Sequence, residues 1–481
     1  MASETILKLS AADMAAEIKA GNISPSEVLD LTLAHIEKTD PAINAFITVS
    51  EARARAEARA AEALLASRSK DHALPPLLGV PYTVKDLIET AGVRTTYASA
   101  VFEHNVPEHD AVAVARMKAA GAVLVGKVST PEFGHKPMNE SPLFGRTVNP
   151  WDLSRTSGGS SGGSAAALAA GMAPLSIGTD AGGSIRIPAA CCGVVGMKGT
   201  LGLVPHEGAP DGFGNFSNQG PMARTVMDAA QMLAAMAGPH RNDPHSHGLR
   251  KDDYVAAARG HGNLSGVKIG WMTRMGNELV DAEVLDACAT RRDALAAAGA
   301  EIIPFDDPFE NTEPYWLVIT QSLWVARFED KLAEFGEMMT PTLMRGIAEG
   351  RRYSAAELQR AITFRTQLYR RVQAWFEHAD FLLMPTLSRT AIDADHDFYE
   401  PITIGNQIAG SIRQCWYPYT HPFNMTGHPA ITVPCGIMGD GLPAGVQIVG
   451  PMMGDAGIIR LAAMLERVHP WAHLWPGAVA F

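Results

Sequence analysis

Two serine clusters of this 481-residue chain stand beside paired glycines, in Gly158-Gly159-Ser160-Ser161-Gly162-Gly163 and in Gly182-Gly183-Ser184. Glycine reaches backbone conformations closed to other residues. Glycine pairs next to a serine can therefore turn several N–H groups to one side, as the oxyanion of an acyl transfer requires. A serine hydroxyl attacks a carbonyl only after a base takes its proton, and no histidine lies close in sequence to either cluster. A neutral lysine can fill that role, because burial disfavours the ammonium and lowers its pKa. Lys85, at the end of the apolar stretch 80–84, is a lysine of that kind. Singly, each feature has a plainer explanation. An isolated Gly-Gly-Ser caps a helix or cradles a phosphate, and a lone lysine at a strand end reaches out to solvent.

The surroundings of these residues shift the balance. The run 157–200, SGGSSGGSAAALAAGMAPLSIGTDAGGSIRIPAACCGVVGMKGT, resembles the Gly/Ser-rich core of the amidase signature family over more than forty consecutive positions. The similarity extends upstream through Leu78-Gly79-Val80-Pro81-Tyr82-Thr83-Val84-Lys85-Asp86, Thr130-Pro131-Glu132-Phe133-Gly134 and the run 144–151. Downstream it includes Gly220-Pro221-Met222-Ala223-Arg224 and Phe423-Asn424-Met425-Thr426-Gly427-His428-Pro429, while 260–400 matches only loosely.

The resemblance implies a Ser–cis-Ser–Lys triad in which Ser184 is the nucleophile, Ser160 the proton bridge after a cis peptide bond, and Lys85 the base. It also implies an oxyanion hole built from Ala181, Gly182, Gly183 and Ser184. Asp180 and Arg186 would brace the nucleophile loop, with Ser161 in support. Gly134 matches a substrate-facing position, where a missing side chain would widen the pocket. The implied architecture is one α/β/α domain over 1–481 with a large mixed sheet, a helical lead-in at 1–70 and a divergent specificity portion at 240–400. Neither a cofactor nor a metal is implied.

The elements that must position these groups are visible as texture. Short apolar runs at 80–84, 122–125, 175–177, 267–271, 381–384, 431–433 and 446–449 alternate with helical segments, which predicts an α/β fold. Helices are expected at 112–120, 164–170, 281–298 (ahead of a strand at 301–304) and 354–379. In the last, Leu358, Ile362, Leu368, Val372 and Trp375 form a stripe expected to face the core. Ser24-Pro25-Ser26-Glu27 reads as a helix start, and 50–67 has strong helix propensity. The polar, Gly-rich stretch 206–219 is expected to be a mobile surface loop. Lys85 then ends one strand, and Ser184 follows another strand and the turn 179–183, where a short helix begins.

Composition excludes several classes. With 47% hydrophobic and 19% charged residues the chain can bury a large core. A formal net charge of −11 and the lack of a Lys/Arg run argue against direct nucleic-acid binding. No basic start followed by an apolar stretch and no uninterrupted apolar segment near the ~18 residues of a membrane span is present, so a cytoplasmic protein without a membrane partner is expected. Five cysteines, Cys191 and Cys192 adjacent and none in C-x-x-C, fit reduced buried thiols.

Four competing motifs are weaker. Gly159-Ser160-Ser161-Gly162-Gly163 fits G-x-S-x-G in form, but 151–156 ahead of it is polar and loop-like where that motif needs an apolar strand. Gly121-Ala122-Val123-Leu124-Val125-Gly126-Lys127 approaches a phosphate loop, yet Val128 replaces the required Ser or Thr. His240, His245 and His247 read as solvated loop residues rather than metal ligands. Ser67-Arg68-Ser69-Lys70 fits S-x-x-K, but in a charged helix end.

The expected activity is hydrolysis of a C–N bond in a small to medium, hydrophobic or aryl amide through an acyl-Ser184 intermediate, extending to carbamates or esters. The catalyst would be a monomer or homodimer acting on a small molecule. Trp316, Trp324, Phe328, Trp416, Tyr417 and Tyr419 are candidates for pocket wall or for core. One alternative is the glutaminase subunit of a tRNA-dependent amidotransferase, which belongs to the same family. Against it, Ile187 stands where that subunit usually carries glutamine, and 202–216 departs from its pattern. A non-catalytic binding protein is the other alternative, and the presence of Lys85, Ser160 and Ser184 argues against it.

Overall fold

The computed structural model describes residues 3–67, 73–260, 262–305 and 309–479. Among the described residues eleven strands hydrogen-bond into one sheet. In chain order they are β1 (Phe46–Val49), β2 (Pro81–Lys85), β3 (Val123–Val128), β4 (Leu175–Asp180), β5 (Val195–Lys198) and β6 (Asn218–Ala223), followed by β7 (Lys268–Trp271), β8 (Glu301–Pro304), β9 (Phe381–Pro385), β10 (Ala430–Ile437) and β11 (Pro443–Val449). Across the sheet the order is β1-β3-β2-β4-β6-β5-β10-β11-β9-β7-β8. β2, β3 and β4 run parallel, as do β7, β8 and β9. Antiparallel pairs join these groups through β6, β5, β10 and β11, so the sheet is mixed.

Apolar side chains leave the strands on both faces. Tyr82 and Val84 of β2, Leu124 of β3 and Leu175 and Ile177 of β4 enter the largest core, which also takes Ile6, Met14 and Ile18 of the N-terminal helices. Val123, Val125 and Val128 of β3 enter a second core. Strands covered on both faces read as continuous apolar runs. That is why all seven apolar runs in the sequence are strands here. The predicted helices are present as Val112–Ala119, Gly162–Ala169, Ala282–Ala297 and Ala355–Trp375, and Ser24 with Glu27 forms a capping box at Pro25–Ile43.

Several expectations need correction. The lead-in is not all helical, because β1 lies inside it and pairs with β3. The stretch 206–219 is a surface loop up to Ser217, with Phe213 86% exposed, but its end is pinned: β6 begins at Asn218, Phe216 is buried, and Arg365 donates to the carbonyls of Gly214 and Asn215 at 2.8 and 3.0 Å. Asp152–Thr156 is a strand, but of a small separate hairpin with Val148–Asn149. Ile362 is 43% exposed, and the buried stripe of its helix runs through Ala361, Phe364, Leu368, Val372 and Trp375. Lys127 is fully buried and donates to Thr90 and Thr95 hydroxyls and to the Ile88 carbonyl. Arg68, Ser69 and Lys70 lie outside the described residues. The five cysteines are buried thiols. Among the described residues no helix is long and apolar enough to cross a membrane.

Candidate active site

β2 and β4 are parallel neighbours with Val84 opposite Ile177. Lys85 therefore emerges from the end of β2 beside Thr179 at the end of β4. Its Nζ lies 2.7 Å from Ser160 Oγ, 2.9 Å from Thr179 Oγ1 and 3.0 Å from Ser161 Oγ. The lysine is fully buried, and burial drives its pKa well below the ordinary value against the pull of Asp180. A neutral amine keeps two hydrogens and one lone pair, so one of the three hydroxyls must donate to it. Ser161 Oγ–H is committed to the Thr179 carbonyl at 3.2 Å while accepting from Thr179 N–H. Ser160, at the shortest distance, is the hydroxyl best placed to give its proton to the lysine.

Local backbone brings Ser160 there. The Gly159–Ser160 peptide is cis, and helix Gly162–Ala169 leads away immediately after. Ser161 N–H donates to the Ser184 carbonyl at 3.0 Å, tying the two serine clusters together. Gly134 faces this point with φ +71°, and a Cβ there would lie 3.0 Å from Ser160 Oγ and 2.8 Å from Leu87 Cδ1. Its missing side chain thus makes room for Ser160 itself as well as for the pocket.

The nucleophile loop hangs on a buried ion pair. Asp180 accepts from Arg186 through Nε at 2.9 Å and Nη2 at 3.0 Å, from Gly183 N–H at 2.6 Å, from Ile185 N–H at 3.2 Å and from Asn424 Nδ2 at 2.9 Å. Arg186 also donates to Gln447 Oε1 at 2.7 Å, Asn424 Oδ1 at 2.6 Å and the Thr420 carbonyl at 2.9 Å. Burial alone would raise the Asp180 pKa. The Arg186 charge and its hydrogen bonds outweigh that and hold the carboxyl well below the usual range. Lys198 at the end of β5 is also fully buried, and burial, aided by Arg186, brings its pKa down to about 7.

The oxyanion expectation narrows here. Gly183 N–H is engaged by Asp180, whereas Ala181, Gly182 and Ser184 border the cavity. The helix that follows spans Arg186–Cys192, so Ser184 sits in the turn ahead of it and not in its first position.

Ser160, Thr179, Ser184 and Gly134 open onto a cavity of about 930 Å³. Phe133, Ile187, Trp316, Ile319, Trp324 and Tyr417 supply apolar wall, and Leu358 and Ile362 border it too, which accounts for their absence from the buried stripe. Of the remaining predicted aromatics, Phe328 packs on Phe133 with ring centroids 4.2 Å apart, Trp416 is fully buried, and Tyr419 donates to the Thr273 carbonyl at 2.9 Å. Of the three loop histidines His240 borders the cavity, His245 is half-buried and His247 is exposed. Among the described residues no group of three or more His, Cys, Asp or Glu side chains is arranged to hold a metal.

Sequence reasoning missed Thr179, Gln219, Thr420 and Gln447. A signal existed for Gln447, a polar residue between apolar neighbours in a wholly buried strand. Asn424 lay in a stretch already noted for its resemblance, without a role.

A mixed sheet that sets a buried lysine against Ser160 at an apolar cavity bordered by the glycine-flanked Ser184 is the architecture of a serine-dependent amide hydrolase. Residues 27–459 match the Amidase family model, and the chain belongs to that family. It is 34% identical to an acylamidase of Rhodococcus erythropolis, over 99% of this chain and 98% of the relative. It is 36% identical to a glutamyl-tRNA(Gln) amidotransferase subunit of Roseiflexus sp. (strain RS-1), over 96% of this chain and 97% of the relative. The crystal structure of a bacterial aryl acylamidase of the amidase signature enzymes superposes with a TM-score of 0.88 at 29% identity, covering 96% of this chain and 97% of that one.

Proposed function

We propose that this amidase cleaves amides bearing an apolar or aryl group through an acyl intermediate on Ser184, with Ser160 and Lys85 moving the protons. The observation that carries the proposal is the 2.7 Å contact between Ser160 Oγ and a lysine with no solvent exposure, beside the cavity that Ser184 borders. Lys85 takes the Ser160 proton as Ser160 takes that of Ser184, and Ser184 Oγ attacks the amide carbonyl. N–H groups of the 181–184 turn receive the oxyanion. Ser160 then returns a proton to the departing nitrogen, and water releases the acid by the same route.

Substrate class follows from the walls. Trp316, Trp324, Phe133 and Ile187 suit an apolar or aryl group. Gln219 stands opposite Thr179 in the β4–β6 pair, which puts its side chain on the face that carries the Lys85 contact. It is 4% exposed and borders the cavity, and its Oε1 has no hydrogen-bond partner among the described residues. That oxygen is an acceptor for a substrate N–H. The acylamidase and aryl acylamidase relatives support this class.

The similarity to an amidotransferase component favours a second reading, hydrolysis of glutamine with partner subunits. Both meet the same experiment, kcat/KM across an anilide, an aliphatic amide, a carbamate and glutamine. The anilide is expected to lead by at least about tenfold, roughly the 1.4 kcal/mol that one well-packed apolar group supplies. Glutamine turning over fastest would replace the first reading with the second.

A further inference from the structure

The turn that carries Ser184 is gripped by its carbonyls. Ala181 C=O accepts from the Trp316 indole Nε1–H at 3.0 Å. Gly182 C=O accepts from Thr420 Oγ1 at 2.7 Å. Gly183 C=O accepts from Ile187 N–H at 2.7 Å, and Ser184 C=O from Ser161 N–H at 3.0 Å. In a trans peptide the carbonyl of one residue and the N–H of the next point in opposite directions. Holding the first three carbonyls therefore fixes the directions of the N–H groups of Gly182, Gly183 and Ser184. Gly183 N–H already serves Asp180. Those of Gly182 and Ser184 are left for chemistry, and Trp316 governs the first of them.

Both outside anchors fit tightly. A Cβ on Gly182 would lie 2.8 Å from Trp316 Cζ2, and one on Gly183 would overlap Thr420 Oγ1. Trp316 is 8% exposed and walls the cavity. It comes from helix Glu313–Phe328, in the part of the chain whose sequence matches the family only loosely. Thr420 has one proton and two acceptors, the Gly182 carbonyl at 2.7 Å and the Tyr417 carbonyl at 3.1 Å, and the nearer takes it.

We infer that Trp316 and Thr420 are positioning residues for the oxyanion: Trp316 sets the Gly182 N–H through the Ala181 carbonyl, and Thr420 holds the Gly182–Gly183 peptide, the link between the two free N–H groups, so that those of Gly182 and Ser184 are aligned before substrate arrives. The inference rests on Ser184 being the nucleophile. Such a role acts on the transition state and leaves ground-state binding alone. Removing a direct oxyanion donor costs roughly 10²–10³ in kcat, so loosening one through its carbonyl should cost about tenfold.

The test compares Trp316→Phe, which keeps an aromatic ring of smaller area but loses the N–H, with Thr420→Val, which loses the hydroxyl, and Thr420→Ser, which restores it. For each, kcat and KM are measured on an anilide, together with Ki for phenylboronic acid. The boron of that probe accepts an electron pair from a serine Oγ as the hydroxyl proton passes to the Ser160–Lys85 pair, and becomes a tetrahedral anion resembling the intermediate. Expected are a kcat about tenfold lower in Trp316→Phe and Thr420→Val, with KM within about twofold and Ki raised by the same factor as kcat falls in Thr420→Val, where no wall of the cavity is altered. Thr420→Ser should stay within about twofold of the parent enzyme. Unchanged kcat in both deficient variants overturns the inference, as does a raised KM with kcat intact, which would make the indole a binding wall only. Should Trp316→Phe fail to fold, the Thr420→Val and Thr420→Ser pair decides alone. Ser184→Ala, run in parallel, separates the two levels. If it retains turnover, the nucleophile assignment fails and the inference with it. If it is inactive while Trp316→Phe and Thr420→Val are fully active, only the inference fails.

Discussion

Lys85 Nζ sits 2.7 Å from Ser160 Oγ, and the lysine has no exposed surface. An ammonium so placed has lost its hydration, and Asp180 compensates only in part. Neutral Lys85 is the form that can act as base, and a depressed pKa means that this form is present above the lowered value. kcat/KM should therefore rise with pH and level off well below 10.5, where an ordinary lysine titrates. Lys85→Ala should lose about 10²–10⁴ in kcat, the usual worth of a general base. Lys85→Arg should fare no better, since guanidinium does not deprotonate. A profile still climbing at the ordinary lysine pKa would contradict the role.

Asp180→Asn leaves Arg186 charged and fully buried. Removing one partner of a buried pair typically costs about 3–5 kcal/mol, to be read from denaturant unfolding at neutral pH. The acid limb checks the cause. Asp180 has a lowered folded pKa, so its stabilisation is complete above the ordinary value of 3.8 and is lost as pH falls below it. The parent enzyme should lose stability over that range faster than Asp180→Asn does. A cost under about 1 kcal/mol would show that the pair is replaceable.

Gly134→Ala puts a methyl at φ +71°, 3.0 Å from Ser160 Oγ. It should lower kcat by about tenfold, since displacements of this size at a reacting group cost up to about 10². The same variant should still fold, with a melting temperature lowered by a few degrees, because an alanine at positive φ costs about 1–2 kcal/mol. Undiminished kcat would mean that Ser160 can move aside without harm.

Gln219→Leu removes the unpartnered Oε1 while keeping side-chain volume similar. The parent enzyme should prefer an anilide over its N-methyl analogue, and the variant should lose about tenfold of that preference, matching a hydrogen bond of about 1–1.5 kcal/mol. An unchanged preference would remove Gln219 from substrate recognition.

What could be seen in the sequence was local. Ser160, Ser184, Asp180 and Arg186 fall within one short run, and strands covered on both faces announce themselves by apolar content. β6 stayed hidden because its sequence NQGPMA carries Gly220 and Pro221, residues that argue against a central strand, although Pro221 pairs with Ile177 there. β1 stayed hidden as four residues between two long helices. Asn424, Thr420 and Gln447 reach the loop from more than 200 positions downstream, as the separations of 244, 238 and 261 in their hydrogen bonds record. Only the folded sheet joins them to it. Trp316 was noticed as an aromatic, but its bond to the Ala181 carbonyl depends on where helix Glu313–Phe328 packs, which no local pattern reveals.

Ser184 as the acylated residue is tested most directly by quenching the enzyme in acid during turnover of a slow activated ester or anilide, then locating the adduct by peptide mass spectrometry. The acyl mass is expected on the peptide containing Ser184, and absent from the Ser184→Ala variant, which should also be inactive. An adduct on another residue, or full turnover by Ser184→Ala, would contradict the mechanism.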